Sequence, residues 1–386
     1  MRTEAASLPL RSAVAVDIGG TKLAAGVVDS TGRVWHAARV PTPVDGDGAV
    51  VWAALAGLIG TVRAAAATAG APEPVGVGVG CGGPMRWPSG MVSPLNIPGW
   101  REFPLRDRLG EVLGLGPVRV HNDAIALAVA EHWRGAAVGM RNALGMVVST
   151  GVGGGLVLGD RVVDGASGNA GHIGHVVVDP AGPECACGGR GCLEAIAAGP
   201  RTVAWALANG WRGAVADKRM LGARARYGES AADKRMPGAR ARYGESAAEK
   251  RMPGATARYR ESAAEKRMPG ATARYRESVA DGRALVADAR AGDAVAVAAL
   301  ARSGAALGVG IASALALCDV QVVVLGGGLA AAGALLFDPL REALARHARL
   351  GFTQAVPVVA SALGPDAGLI GAAALVLAGD RYWSAG

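Results

Sequence analysis

Two stretches far apart in the chain follow one plan, and together they restrict the fold more than any other feature. In "AVAVDIGGTKLAAGVVDSTGRV" an alternating apolar strand, Ala13 to Val16, turns on Gly19-Gly20 and returns as a second strand from Leu23 to Val28. In "GMVVSTGVGGGLVLGD" a strand from Leu144 to Val148 enters a turn read over Ser149 to Gly155 and returns from Leu156 to Leu158. A glycine turn between two strands lets backbone amides approach an anion closely, because no side chain holds it away. The alternative at each place is an ordinary hairpin. A third strand, Val320 to Leu325, runs into Gly326-Gly327-Gly328 and then a helical pattern. None has the strand-to-helix spacing of a P-loop or of a dinucleotide fingerprint. A nucleotide held between two lobes by hairpins fits these patterns better.

The chain has 386 residues, enough for two domains of ordinary size. Hydrophobic residues make up 51% but aromatics only 4%, so the apolar content is mostly Ala, Val and Leu; with 59 glycines this suits α/β layers joined by tight turns. No apolar stretch of secretory length precedes Asp17, which points to a cytoplasmic protein. The segment from Ser303 to Phe337 carries only Asp319 as a charge, yet the piece before it is shorter than the ~20 apolar residues of a span. It reads as a buried helix, then a buried strand and a glycine turn, with no membrane as partner.

The formal net charge of +8 has a single source. From Ala216 to Val279 the chain is four copies of a 16-residue unit such as "ADKRMPGARARYGESA", each with four basic and two acidic residues, so the repeats account for all of it. One Met, one Tyr and some Ala per unit are too few to stack as a solenoid. The repeat is therefore expected as a surface insertion of short helices broken at "MPG". The alternative is a basic surface meeting nucleic acid or a partner by charge.

The segment "NAGHIGHVVVDPAGPECACGGRGCLEA" gathers two histidines, His172 and His175, and three of the five cysteines, Cys185, Cys187 and Cys192. In a reducing compartment such cysteines are free or metal-bound rather than bridged. Gly188, Gly189 and Gly191 allow the chain to fold back so that the thiols converge. Three sulfurs and one imidazole nitrogen make a closed tetrahedral zinc site with no open position, which is structural rather than catalytic; the alternative is a set of unliganded buried cysteines. Elsewhere, "GPVRVHNDAIALAVAEHWRG" reads as a strand from Val118 to His121 and a helix starting near Asp123. By pattern alone Asp123 is an N-cap, and a helix N-terminus favours its ionised form.

Asp17-Ile18-Gly19-Gly20-Thr21-Lys22, "STGVGGG", the cysteine cluster, "LGGG" and "DAGLIGAA" (Asp366 to Ala373) follow one another between about Ala13 and Gly379. In this order they resemble the repressor, open-reading-frame and kinase (ROK) family of the actin-like ATPase superfamily. The resemblance implies a two-lobed α/β actin-like ATPase (ribonuclease H-like) fold with a structural zinc. A first lobe would cover 12–122, with a C-terminal helix at about 366–380 packing back on it; a second would cover 123–365, with 216–279 as the repeat insertion.

The activity implied is ATP-dependent phosphorylation of a hexose or N-acetylhexosamine at its 6-hydroxyl. Gly19, Gly20 and Thr21 would face the γ-phosphate, Thr150 and Gly151 would meet the phosphates from the other lobe, and Gly327 and Gly328 would lie near the adenosine. Asp17 would reach Mg²⁺ through water. Asp123 would be the general base. Asn122, Gly83, Asn96, His175 and Glu194 would contact the sugar, with a turn glycine and a turn asparagine as the plainer readings of Gly83 and Asn96. His175 would be the zinc ligand beside Cys185, Cys187 and Cys192. His172 stands where most kinases of the family have Glu, whereas the N-acetylmannosamine kinases look similar to "AGHIGH"; the implied sugar is N-acetylmannosamine, with glucose second. A homodimer is expected, and nucleic acid is not. The competing reading is a non-catalytic sugar-binding regulator of the family lacking a DNA-binding domain, since only about a dozen residues precede the first strand.

Overall fold

Strand β1 (Ser12–Ile18) is apolar on both faces and accordingly takes a central place. On one side β2 (Lys22–Asp29) pairs with it antiparallel and β3 (Val34–Pro41) follows; on the other, β4 (Pro74–Cys81) and β8 (Val118–Asn122) lie parallel. Helix α1 (Gly48–Thr68) starts where the Asp47 carboxylate accepts the Ala49 N–H and buries Val51, Leu55, Ile59 and Val62 in the core of this sheet. A small ribbon of β5 (Met85–Arg86), β6 (Met91–Val92) and β7 (Phe103–Pro104), with α2 (Leu105–Leu113), precedes β8. The computed structural model describes residues 9–43, 47–94, 96–213 and 282–383. The chain divides into a body, Met1–Trp211 with Gly270–Gly386, and a second unit, Arg212–Pro269. The four repeats at 216–279 lie outside the described residues.

Helix α3 (Asp123–Arg134) follows β8 without a loop, and a second sheet then repeats the first. Its strands β9 (Ala143–Val148), β10 (Val152–Leu158), β11 (Arg161–Val162), β12 (Val322–Gly326) and β13 (Val358–Ala360) run in the order β11-β10-β9-β12-β13, matching β3-β2-β1-β4-β8. The helices of this half are α4 (Leu193–Ala197), α5 (Gly199–Ala208), α6 (282–290), α7 (Ala294–Cys318), α8 (Ala334–His347) and α9 (Gly351–Gln354). Among the described residues two helices, α1 and α7, are long and apolar enough to cross a membrane. Both turn an apolar face into a core instead: α7 buries Leu300, Leu307 and Ile311.

Helix α10 (Ala367–Leu377), followed by the short α11 (Gly379–Tyr382), lies on β1 and β4. Helix α3 lies on β9 and β10, and α3 and α10 pack on each other. The order through the body is thus sheet, α10, α3, sheet. Glycine sets the spacing of this stack. A Cβ at Gly78 would come 1.7 Å from the Ala372 carbonyl oxygen, and one at Gly371 would come 1.9 Å from that of Ala126. On the other side, a Cβ at Gly145 would meet Ala128 Cα at 2.5 Å, one at Gly155 Ile125 Cα at 2.7 Å, and one at Gly153 Ala124 Cβ at 2.8 Å. This corrects the sequence reading of the second hairpin. Its turn is only Ser149 to Gly151, and Gly153-Gly154-Gly155 belong to β10. Gly153 and Gly155 are glycines because α3 lies against that face of the strand with no room for side chains, and Gly154, on the other face, lies under Gly171 and Ile173, where a Cβ would come 2.8 Å from the Gly171 carbonyl oxygen.

Candidate active site

The two hairpin turns are held from outside as well as by their strands. Gly19 N–H bonds the Lys22 carbonyl at 3.0 Å, and the buried Thr42, just past β3, donates its hydroxyl to the Gly19 carbonyl at 2.7 Å. The Thr42 N–H also bonds the Thr21 carbonyl at 3.2 Å. Thr42 thus fixes the turn bearing Gly19, Gly20 and Thr21. Nothing in its sequence surroundings marks it for this work. In the second turn Ser149 N–H bonds the Gly151 carbonyl at 2.9 Å, with Thr150 between them. Gly327, at φ +94°, brings the end of β12 against the end of β9, where a Cβ would come 2.4 Å from the Val148 carbonyl oxygen; Gly328 follows beside the Ser149 hydroxyl. The second turn and the Gly327–Gly328 segment therefore lie beside each other at the ends of β9 and β12.

Gly20 has a tighter task than letting an anion approach. A Cβ there would lie 2.5 Å from Asn96 Cβ, so glycine lets Asn96 pack onto the turn. The Asn96 Oδ1 is buried with no hydrogen-bond partner in the protein, and a buried acceptor of that kind calls for a donor such as a ligand hydroxyl.

Asp123 is the first residue of α3. The cap is the residue before it: Asn122 has extended backbone, and its Oδ1 accepts the Ala124 N–H at 3.0 Å. The Asp123 carboxylate accepts the same N–H at 2.9 Å. Burial, and then the nearby Asp17 carboxylate, push the Asp123 pKa up to about 6, outweighing its backbone hydrogen bonds. Asp17, at the end of β1, is likewise raised by burial and held down in part by the charges of Lys22 and Arg39. Arg39 also pairs with Asp366 just ahead of α10. Two carboxylates that disfavour each other's charge, with cations beside one of them, suit a site where a divalent ion and a phosphate are handled.

Gly83 faces two of the expected sugar contacts. A Cβ built on it would lie 3.6 Å from Asn122 Nδ2 and 3.7 Å from His172 Nε2, so the three residues share one space. Surrounding protein, and then the His175 ring, lower the His172 pKa. Glu194, near the start of α4, uses Oε2 to accept the Val152 N–H at 3.0 Å, and the same oxygen lies 2.7 Å from where a Cβ at Gly151 would be. It therefore touches the second hairpin, and its charge also acts on His172.

His175, Cys185, Cys187 and Cys192 converge so that one donor atom from each lies within 4.8 Å of all the others. The Cys187 and Cys192 sulfurs are 3.7 Å apart, and Cys185 Sγ lies 3.8 Å from His175 Nδ1. Thiolates at ~2.3 Å from a tetrahedral ion would be ~3.8 Å from each other. The donor set and its spacing fit such an ion. Gly188 and Gly191 adopt positive φ, +89° and +70°, and a Cβ at Gly191 would collide with the Asp179 carbonyl; these turns close the loop. Burial and the adjoining thiols push Cys192 up to about 12, a cost that a bound cation reverses. The His172 and His175 ring centroids are 6.2 Å apart, and His172 is not among the converging donors.

The family model described as "ROK family" matches residues 13–251 and 256–378. The chain belongs to the ROK family. Its two-lobed α/β body is the actin-like ATPase fold of that family, with the His/Cys cluster as a candidate metal site. Among curated relatives, the N-acetylmannosamine kinase of Citrobacter koseri is 40% identical over 189 residues, or 49% of this chain; the chain spans 62% of that relative's length. Among solved structures, the ROK hexokinase of Thermus thermophilus is 34% identical with a TM-score of 0.64, covering 94% of this chain and 96% of its own. The ROK glucokinase of Streptomyces griseus, solved with glucose and AMPPNP, is 30% identical with a TM-score of 0.68, covering 94% and 98%.

Proposed function

We propose that this ROK protein is an ATP-dependent kinase that phosphorylates the 6-hydroxyl of a hexose or N-acetylhexosamine, N-acetylmannosamine ahead of glucose. The observation that carries the reading is Asp123, a carboxylate raised to about 6, whose neighbour Asn122 shares with His172 the space over Gly83. Phosphoryl transfer needs chiefly positioning and charge neutralisation, with one base on the acceptor oxygen. Asn122, Asn96, His172, His175 and Glu194 hold the sugar. Ionised Asp123 takes the proton of the 6-hydroxyl as that oxygen bonds to the γ-phosphorus. The bond to the β–γ bridging oxygen breaks, and ADP leaves with the electron pair.

The turn of Gly19, Gly20 and Thr21 faces the γ-phosphate, and Thr150 and Gly151 meet the phosphates from the other lobe, with Gly327 and Gly328 near the adenosine. Asp17 would hold Mg²⁺ through water, and that ion supplies charge neutralisation on the phosphates. His175, Cys185, Cys187 and Cys192 would hold a structural Zn²⁺ that orders the segment leading to Glu194. The shared strand order of the two sheets supports a ribonuclease H-like core in each lobe, the lobes covering 12–122 and 123–365 with the helix at 366–380 returning to the first. We take the enzyme to be cytoplasmic and homodimeric. A coupled ADP-release screen over hexoses and N-acetylhexosamines tests the activity. No ATP consumption with any of them would favour the non-catalytic sugar-binding regulator instead.

A further inference from the structure

His121, the residue before the Asn122-Asp123 pair, is fully buried and hydrogen-bonded at both ring nitrogens. Its Nδ1 accepts the Asn122 N–H at 2.8 Å, and its Nε2 lies 2.7 Å from Asp164 Oδ1. An N–H can only donate, so Nδ1 is the acceptor and the ring proton sits on Nε2, where it donates to Asp164. The other oxygen of Asp164 accepts the Trp383 indole N–H at 2.8 Å. Trp87 stacks on the His121 ring, centroids 4.6 Å apart and planes 27° from parallel. Four chain segments meet here: His121 is the last residue but one of β8 in the first sheet, Asp164 follows β11 of the second, Trp87 follows β5 of the small ribbon and Trp383 follows α11.

We propose that His121 and Asp164 form a positioning pair that sets the corner between β8 and α3, and with it the direction in which Asp123 faces its acceptor. The Asn122 and Asp123 side chains already hold the first turn of α3 through the Ala124 N–H; the pair adds a hold on the Asn122 amide itself, at the peptide that enters the corner. The Nδ1 bond holds the Asn122 amide, and the Nε2 bond anchors the ring to the second sheet. Neither residue touches the reacting atoms. The pair acts through Asn122 and Asp123, so the kinetic part of its test rests on the kinase reading, while its tautomer can be read without that.

The test uses the full chain and the variants His121→Ala, His121→Gln, Asp164→Ala and the double Ala variant, with metal content and unfolding temperature as controls for folding. With ATP and N-acetylmannosamine, each single Ala variant should lose roughly 10- to 100-fold in kcat, the scale of a misplaced catalytic group, with either KM moving less than about threefold. The double variant should be no worse than the poorer single one, because both remove one device. His121→Gln, which can still donate toward Asp164, should recover much of the loss. Additive losses, or a change in KM alone, would overturn the pair. Nitrogen-15 NMR should show His121 as the Nε2–H tautomer in the wild type, with that bond lost in Asp164→Ala. A wild-type Nδ1–H tautomer would overturn the proposal whether or not the chain consumes ATP. A chain inert toward ATP that keeps the Nε2–H tautomer and loses it in Asp164→Ala would defeat the kinase reading and support the pair.

Discussion

Replacing Asp123 by Asn should make the protein more stable as it makes it inactive. The carboxamide oxygen can keep the bond from the Ala124 N–H, now 2.9 Å, so the shape of the corner survives. What disappears is a charge the fold disfavours. The Asp123 pKa rises from the ordinary 3.8 to about 6, by burial first and by Asp17 second. At ~1.4 kcal/mol per unit, a rise of about two units amounts to roughly 3 kcal/mol as an upper figure. Because the folded pKa is the higher one, wild-type stability from this group is fullest below the unfolded value and is lost as pH climbs through about 6. Asn cannot ionise and escapes that loss. Thermal unfolding should therefore find the variant several degrees more stable at pH 7.5 and equal to wild type near pH 4. In parallel, kcat should fall by about 10² to 10⁴ with sugar binding kept, and wild-type kcat/KM should decline below about pH 6. A stability difference that is the same at both pH values, or of opposite sign, refutes the electrostatic argument. Retention of more than about a tenth of kcat refutes the base.

The metal should be zinc at one ion per chain, lost in Cys187→Ser and retained in Cys81→Ser and Cys318→Ser; elemental analysis showing full zinc in Cys187→Ser would mean the site is elsewhere. His172→Glu should shift kcat/KM toward glucose by roughly 1 to 3 kcal/mol without changing zinc, because an ionised Glu only accepts while a neutral imidazole offers one donor and one acceptor; an unmoved sugar ratio would remove His172 from specificity. Thr42→Val deletes the hydroxyl that holds the Gly19 carbonyl at 2.7 Å and should raise the ATP KM by about 0.5 to 1.5 kcal/mol, with the sugar KM steady. Equal effects on both would show that Thr42 supports the whole lobe rather than the turn.

The hairpins were legible because alternation and glycine are local signals, and so was the convergence of His175 with three cysteines that lie within eight positions of one another. The glycine run of β10 was misread for a physical reason. Glycine serves both turns and close backbone approach, and only tertiary packing decides between them, here α3 against Gly153 and Gly155 and the Gly171–Ile173 segment against Gly154. The cap of α3 was misplaced by one residue because Asn122 and Asp123 can both accept the Ala124 N–H; the extended backbone of Asn122 decides, and spacing does not reveal it. Thr42 and Asp164 gave no signal, since each works across the fold; Asp164 meets His121 from 43 positions away and Trp383 from 219. Charge was partly legible: a helix start at Asp123 argued for easy ionisation, whereas burial and Asp17, both tertiary, push the other way.

The bare seam that β9 and β10 share with α3 has a genetic consequence. A methyl added on one side can be accommodated only by removing one on the other or by displacing α3 as a rigid rod, and that rod begins at Asp123. Substitutions at residues that themselves hold no ligand should then appear in a screen as losses of activity. Gly153→Ala obstructs only the Ala124 methyl, at 2.8 Å, so Ala124→Gly in the same gene should restore function. Gly145→Ala strikes the Ala128 Cα itself, at 2.5 Å, and Ala128→Gly should fail to rescue it. A pair of alleles that suppress each other, beside a pair that do not, would map where backbone meets methyl and where backbone meets backbone.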